Sequence, residues 1–393
     1  MLGLTLVSAV VSSCTFYTSC PDPNKPPNTG AGGTNDTGGA PPVEGGGPAM
    51  PVLVPWTNVT SNLGEETGTS TCGRVTLVHA KSDLVVAGLS ESGLWGSTDN
   101  GESWQLLGQG DGSDVLSGLP RSITTDPDNP STFWLATIYG DNGVWRTDDN
   151  GDTFHVQGTV RHNDLISLDF ADPDRKIMLA GGHEARKTLW RSPDAGQTWV
   201  DVGVNLPDDS RASSYPLVLG PELHLLGAAG YGEGISGIFR TEDGGASWER
   251  VSKSGGFGKP LVAADGAVLW PSDDGSLVRS ADAGQTWEEV LPRDTLVGYQ
   301  ALLQLPDERL AILTHYEGVK IVSADFSELV QVTERVPFET NGFTYSEATR
   351  SFFTWSRDCT NNEPDDAIMR ADFDYEALAD GAGGDAAGGK PSE

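Results

Sequence analysis

Basic residues are scarce in this chain. Its 393 residues include 25 Lys and Arg against 56 Asp and Glu, a net charge of −31. So anionic a chain is excluded as a general nucleic-acid binder, because neutralising phosphates needs a basic face. Charged residues make up only 21%, whereas Gly and Pro number 50 and 24. That excludes a helical bundle or coiled coil and predicts many turns between short strands. Methionine and cysteine occur four times each, against eleven Trp, which points to aromatics packed at fixed places rather than a flexible Met-lined groove. The chain has no HExxH, no CxxC pair, no GxSxG elbow and no phosphate loop between a strand and a helix. Zinc hydrolases, ordinary serine hydrolases and nucleotide enzymes therefore lack support, and no cofactor is expected. The six His are scattered, so His162, His183 and His315 read as incidental rather than as metal ligands.

No apolar run is long enough to span a bilayer. Residues 1 to 13 (MLGLTLVSAVVSS) are apolar and end in small residues, as the core of an export signal does. Val11-Ser12-Ser13-Cys14 resembles the bacterial lipoprotein signal box, which implies that Cys14 becomes a lipidated N-terminus. No Lys or Arg precedes the run; an ordinary cleaved signal is the alternative. Residues 21 to 50 contain seven Pro and eight Gly with almost no apolar side chains, and residues 376 to 393 have the same character. Neither can bury enough surface to fold. The expected organisation is a signal at 1–13, a lipid-anchored linker at 14–50, a folded unit at 51–375 and a disordered tail at 376–393, placed in the bacterial cell envelope, anchored in an outer membrane or secreted.

Within the folded unit one pattern recurs. Ser97-Thr-Asp99-Asn-Gly101-Glu-Ser103-Trp104 is followed by copies centred on Asp149, Asp194, Asp243 and Asp282, giving S/T-x-D-x-G-x-S/T-W/F, and by a decayed copy at Asp325. The aspartates are separated by 50, 45, 49, 39 and 43 residues, a period that signals a propeller or solenoid. The motif suits a hairpin in which Asp accepts backbone N–H bonds, Gly takes positive φ and Trp packs between sheets.

This pattern resembles the Asp box of sialidases, sortilin-type receptors, xyloglucan-cleaving propellers and the photosystem II assembly factor family. The resemblance implies an all-β fold, a single seven-bladed β-propeller in which each box joins the third and fourth strands of a blade, on the face away from the binding site. The box aspartates Asp99, Asp149, Asp194, Asp243 and Asp282 are then structural, and Arg146, Arg191, Arg240 and Arg279, which recur just before the boxes, are scaffold. Six boxes imply six blades, and residues 336 to 375 supply strands of a seventh that lacks its outer strand. The stretch around Val52–Val59 is expected to provide it and close the ring, removing open edges. Closure would bring Cys72 near Cys359, where export permits a disulfide, with two free thiols as the alternative.

In such a propeller the loops entering the first strands share a face with those joining the second and third. The former carry Arg74, Arg121, Arg161 with His162 and Asn163, Arg211 with Tyr215, Phe257 with Lys259, and Tyr299 with Gln300; the latter carry Glu91, Asp141, Glu184, Tyr231 with Glu233, Asp273 with Asp274, and Tyr316 with Glu317. The expectation is an inner arginine cluster within an outer acidic ring. It could grip an anionic group and stack a sugar or peptide on aromatics, or each Arg could simply pair with a neighbouring carboxylate. The resemblance to sialidases would require three arginines, a Tyr–Glu pair and an acid. Arg74, Arg121 and Arg211 could imitate the first, and Tyr299 or Tyr316 with Glu317 the second. However, Arg74 is followed by Val-Thr rather than the Ile-Pro of that family, and no Asp near blade one is presented as an acid. The reading is a monomeric, membrane-anchored binder of a protein or glycan; glycoside hydrolysis is the alternative.

Overall fold

The computed structural model describes residues 52–66, 75–90, 92–212, 214–314, 317–356 and 367–378. The signal, the Cys14 anchor, the linker, Arg74, Tyr316, and the proposed Cys72–Cys359 pair lie outside them. The described chain is all-β apart from single-turn helices. It forms seven four-stranded antiparallel sheets arranged as a seven-bladed β-propeller.

Blade one comprises Val75–Lys81, Leu84–Leu89, Gly93–Ser97 and Gln105–Leu106. Blade two comprises Leu119–Thr125, Phe133–Ile138, Val144–Thr147 and His155–Val156. Blades three and four begin at Asn163–Leu168 and Ser214–Val218, and blades five and six at Leu261–Val262 and Leu302–Gln304. In blade seven the order is Thr340–Ser346, Ser351–Ser356, Ile368–Asp372 and then Thr57–Asn58 from the other end of the chain. Thr57 pairs with Arg370 and Asn58 with Met369, so the ring is closed by an N-terminal strand as expected. Pairing with Thr57–Asn58 covers part of the Ile368–Asp372 edge, which would otherwise be a template for aggregation.

The motif turns repeat almost atom for atom because their bonds are all local. The hydroxyl of the first Ser or Thr accepts the Gly N–H at 2.8 to 3.0 Å. The Asp Oδ1 accepts the N–H of the second Ser or Thr at 2.8 to 2.9 Å, and Oδ2 accepts its hydroxyl at 2.6 Å in all five. The Gly takes φ between 82° and 92°, where a side chain would be strained. At Asp325 both bonds come from Ser327, two residues on. Three of the tryptophans tie their turn to the preceding blade: Trp199 Nε1 donates to Gln157 O, Trp248 to Val202 O, and Trp104 to Val59 O across the closing seam, whereas Trp287 donates to Gly284 O of its own turn. Arg240 Nε likewise bonds Ala283 O in the next blade.

The core lies between the blades. Seven apolar clusters fill the seven seams, from Leu77, Ile123 and Phe133 between blades one and two to Val78, Phe353 and Trp355 between seven and one. Fully burying a ring such as Trp134 or Trp270 stabilises by about 2–3 kcal/mol. Blades approach too closely for a side chain at some points: a Cβ on Gly181 would stand 1.8 Å from Ser214 O of the next blade.

Candidate functional site

Opposite the motif turns, side chains from blades two to six converge on the mouth of the axial channel. The keystone is Asp164, the second residue of the blade-three inner strand, with its side chain 1% exposed. Its Oδ1 accepts Nε–H of Arg121 from blade two at 3.2 Å and pairs with His183 Nδ1 at 2.7 Å. His183 Nε2 lies 3.2 Å from the Tyr139 hydroxyl and 3.5 Å from Glu184 Oε1. The Tyr139 backbone N–H donates to His162 Nδ1 at 3.0 Å. Asp164 Oδ2 is buried without a hydrogen-bond partner among the described residues.

Rings surround this chain of bonds. The Arg121 guanidinium stacks 4.0 Å from the Tyr299 ring centroid, a cation–π contact that holds it flat. Tyr299 packs on Phe257 at 4.9 Å, and Tyr215 on Phe257 at 5.9 Å. His183 meets Tyr231 edge-on at 5.4 Å and His162 at 4.8 Å, while Tyr139 tilts over His162 at 4.7 Å. The inner rings thus fill the mouth, and Tyr139, 62% exposed, forms its outer surface. Tyr139, His162 and Glu184 all adopt positive φ, 58°, 63° and 52°. Backbone strain in non-glycine residues persists where the surroundings over-determine it and gathers at functional sites.

Burial alone would lower the Arg121 guanidinium pKa, but Asp164, with Tyr299 and Tyr215, outweighs it and holds the group above its ordinary value. Burial raises the Tyr215 phenol well above 10.0, helped by Asp164 and Tyr299. Tyr139 is raised by burial and by Glu184. These phenols are hydrogen-bonding groups at neutral pH, not phenolates. His162 is lowered by burial and by His183.

His162, His183 and Glu184 place possible ligand atoms within 4.8 Å of one another. His162 Nδ1 is occupied by the Tyr139 N–H, and His183 Nε2 lies against the Tyr139 hydroxyl at 3.2 Å; a cation would have to displace both contacts.

The residues singled out from sequence are distributed as follows. Arg121, His162, Tyr215 and Tyr299 meet at the mouth. Arg211 is tied to Asp273 at 3.0 Å, and Arg161 is exposed. Glu317 pairs with Lys320 of its own hairpin. Lys259 is turned down the channel, and its Nζ reaches Ile123 O of blade two at 3.3 Å. Gln300 bonds Phe343 O of blade seven at 3.1 Å. Sequence reasoning missed Tyr139 and Asp164. The signal for Asp164 was an acid opening a strand that otherwise reads as buried, Asn163-Asp-Leu-Ile-Ser-Leu168.

No family model matches the chain, and no curated protein does. Solved structures do. The GH74 enzyme of Niastella koreensis aligns with a TM-score of 0.57 at 14% identity over 81% of this chain and 54% of its own. The likeness is one of fold. The extracellular domain of the hybrid two component system BT3049 from B. thetaiotaomicron aligns at 0.54, with 13% identity over 76% of this chain and 40% of its own. PorZ, a surface component of the type-IX secretion system of Porphyromonas gingivalis, aligns at 0.53, with 12% identity over 76% and 46%. The chain spans about half the length of these proteins or less.

Proposed function

We propose that this protein is an exported, lipid-anchored propeller that binds a protein or glycan partner at its channel-mouth face without catalysis. One observation carries the reading: Arg121 and the rings of Tyr215, Phe257 and Tyr299 pack against one another and fill the mouth, leaving Tyr139, His162, Glu184 and Tyr231 as a broad polar-aromatic surface. Such a surface stacks sugars or peptide side chains, whereas a hydrolase needs a recess with free carboxylates. The central carboxylate, Asp164, is buried and engaged. Arg211 is engaged by Asp273, so the triad of a sialidase is not assembled from it and Arg121. Export and anchoring rest on the pattern ending at Cys14, and are supported by the surface or extracellular setting of two fold neighbours. Glycoside hydrolysis stays the alternative because another neighbour is a GH74 enzyme.

The test pairs turnover with binding. The full chain is assayed on fluorogenic sialosides and β-glucans, then on glycan arrays and by pull-down from envelope extract. The expected result is no turnover, and partner capture that Tyr139→Ala weakens by about tenfold or more, as loss of a central aromatic contact does. Turnover that disappears in Arg121→Ala would overturn the binding reading.

A further inference from the structure

A cleft of about 320 Å³ opens between blades six and seven on the face of the motif turns, opposite the mouth. Leu310 pairs with Gln304 on one side and Val322 on the other, so the turn after Gln304 shares an end of the blade with the motif turn after Val322. Counting on from the parallel bridge between Gln300 and Gly342 sets Leu303 level with Tyr345, and Leu305 level with Glu347. Residues two apart face the same way along a strand, so these four line the cleft together, with Pro306 beside them. The other polar groups of the lining are engaged. Gln304 accepts the Ala264 N–H at 3.0 Å and donates to Glu308 O at 2.9 Å, and Thr344 Oγ1 accepts the Ala80 N–H at 3.1 Å. The Tyr345 hydroxyl donates to Phe373 O at 2.9 Å and its ring packs on Phe352 at 4.9 Å, which holds the ring in place. The neighbouring cations are taken as well: Arg309 bonds Asp307 at 2.6 Å and the Tyr375 carbonyl, and Arg350 pairs with Asp374 at 2.7 Å and Glu376 at 3.0 Å. The exposed Glu347 forms no ion pair among the described residues.

A cleft with apolar walls, a fixed aromatic ring and an unclaimed carboxylate suits a ligand of the converse layout, an apolar stem carrying a cation. We infer that this cleft binds an arginine side chain of a basic partner segment, its stem across Leu303 and Pro306 and its guanidinium between the Tyr345 ring and Glu347. A guanidinium is flat and weakly hydrated, so it lies on a ring while its N–H fork meets a carboxylate, which the compact, strongly hydrated lysine ammonium does less well. Charge favours the same ligand. Asp307 and Glu308 follow Pro306 and are exposed, and Asp374 and Glu376 flank Tyr375, whose ring meets that of Tyr345 at 6.1 Å. With only Arg309 and Arg350 set against these carboxylates, the surroundings repel an anion and draw in a basic segment whose further cations meet the outer acids. The cleft lies on the face opposite the mouth, so this inference goes beyond the binding proposed there and both sites can be filled together.

The test titrates the full chain by calorimetry with a short peptide carrying one arginine between two lysines. Its twins carry lysine or the uncharged isostere citrulline in place of the arginine, and butylguanidinium is the small-molecule arm. The arginine peptide is expected to bind saturably with a Kd of about 1 mM or below, the lysine twin several-fold more weakly, and the citrulline twin at least about tenfold more weakly. Glu347→Gln, a change of charge in an exposed turn, should weaken the arginine peptide by about tenfold, whereas Tyr345→Phe keeps the ring and should hold within about threefold. Equal binding of the citrulline twin, unchanged binding in Glu347→Gln, or no saturation below about 10 mM would overturn the inference. A lysine twin that binds equally well would overturn the choice of guanidinium. Butylguanidinium binding as tightly as the peptide would overturn the assignment to a partner chain in favour of a free small cation. Capture at the mouth should be unchanged in Glu347→Gln, and peptide binding unchanged in Tyr139→Ala, so each site is judged on its own.

Discussion

Removing the Asp164 carboxylate should be the most damaging single change at the channel mouth. Asp164→Ala leaves the Arg121 guanidinium, 14% exposed, with its charge unpaired and its Nε–H without an acceptor. It also frees His183 Nδ1, whose side chain is 3% exposed. Breaking a buried ion pair by removing one partner costs about 3–5 kcal/mol, because the surviving charge stays desolvated. At roughly 2 °C per kcal/mol for a domain of this size, the melting temperature should fall by about 6–10 °C. The companion double variant, Arg121→Met with Asp164→Leu, removes both charges and should recover most of the loss, since an apolar pair of similar volume replaces a buried ion pair at little cost. Thermal melts by circular dichroism of this double variant and of Arg121→Met and Asp164→Leu alone, arranged as a double-mutant cycle, supply the coupling energy. The keystone argument fails if Asp164→Ala melts within about 2 °C of wild type, or if the double variant loses the sum of the two singles.

Three further outcomes follow from the structure. The carboxyls of Asp243, Asp282 and Asp325 are held at about 2 by the hydroxyls of Ser247, Thr286 and Ser327. Their contribution is complete above the ordinary 3.8 and disappears as pH falls through about 2, so the urea midpoint should drop across that window and drop less in Asp282→Asn; a flat midpoint would contradict the turn geometry. His224 is lowered to about 4 by burial and by Arg191. The unfolded chain therefore takes its proton first, and stability should already decline between pH 6.5 and 4, with a shallower slope in His224→Gln. Gly181→Ala, whose new Cβ would meet Ser214 O, should force blades three and four apart and prevent folding or lower the melting temperature by more than about 6 °C; unchanged melting would show that the seam yields easily.

The motif turns and the site differ in how far apart their partners lie along the chain. Each turn is built from bonds spanning two to four residues, such as Ser97 to Asp99 and Asp99 to Ser103. Its residue types can therefore be read directly from a window of eight. The spacing of the aspartates sets the blades, and the missing outer strand of blade seven points to the segment that supplies it, so the ring was legible before any coordinates. At the mouth, Arg121 bonds Asp164, 43 positions away, and stacks on Tyr299. No local pattern marks those pairings.

The sequence by itself thus determined the all-β propeller, its blade count and its closure, because those depend on short-range turn chemistry repeated at a fixed period. Only the tertiary structure decided which polar residues of the upper loops face one another. It turned Arg121 inward onto Asp164, bound Arg211 to Asp273 and sent Lys259 across the channel. Those choices are made by packing and charge between blades, where residues distant in sequence compete for the same few partners.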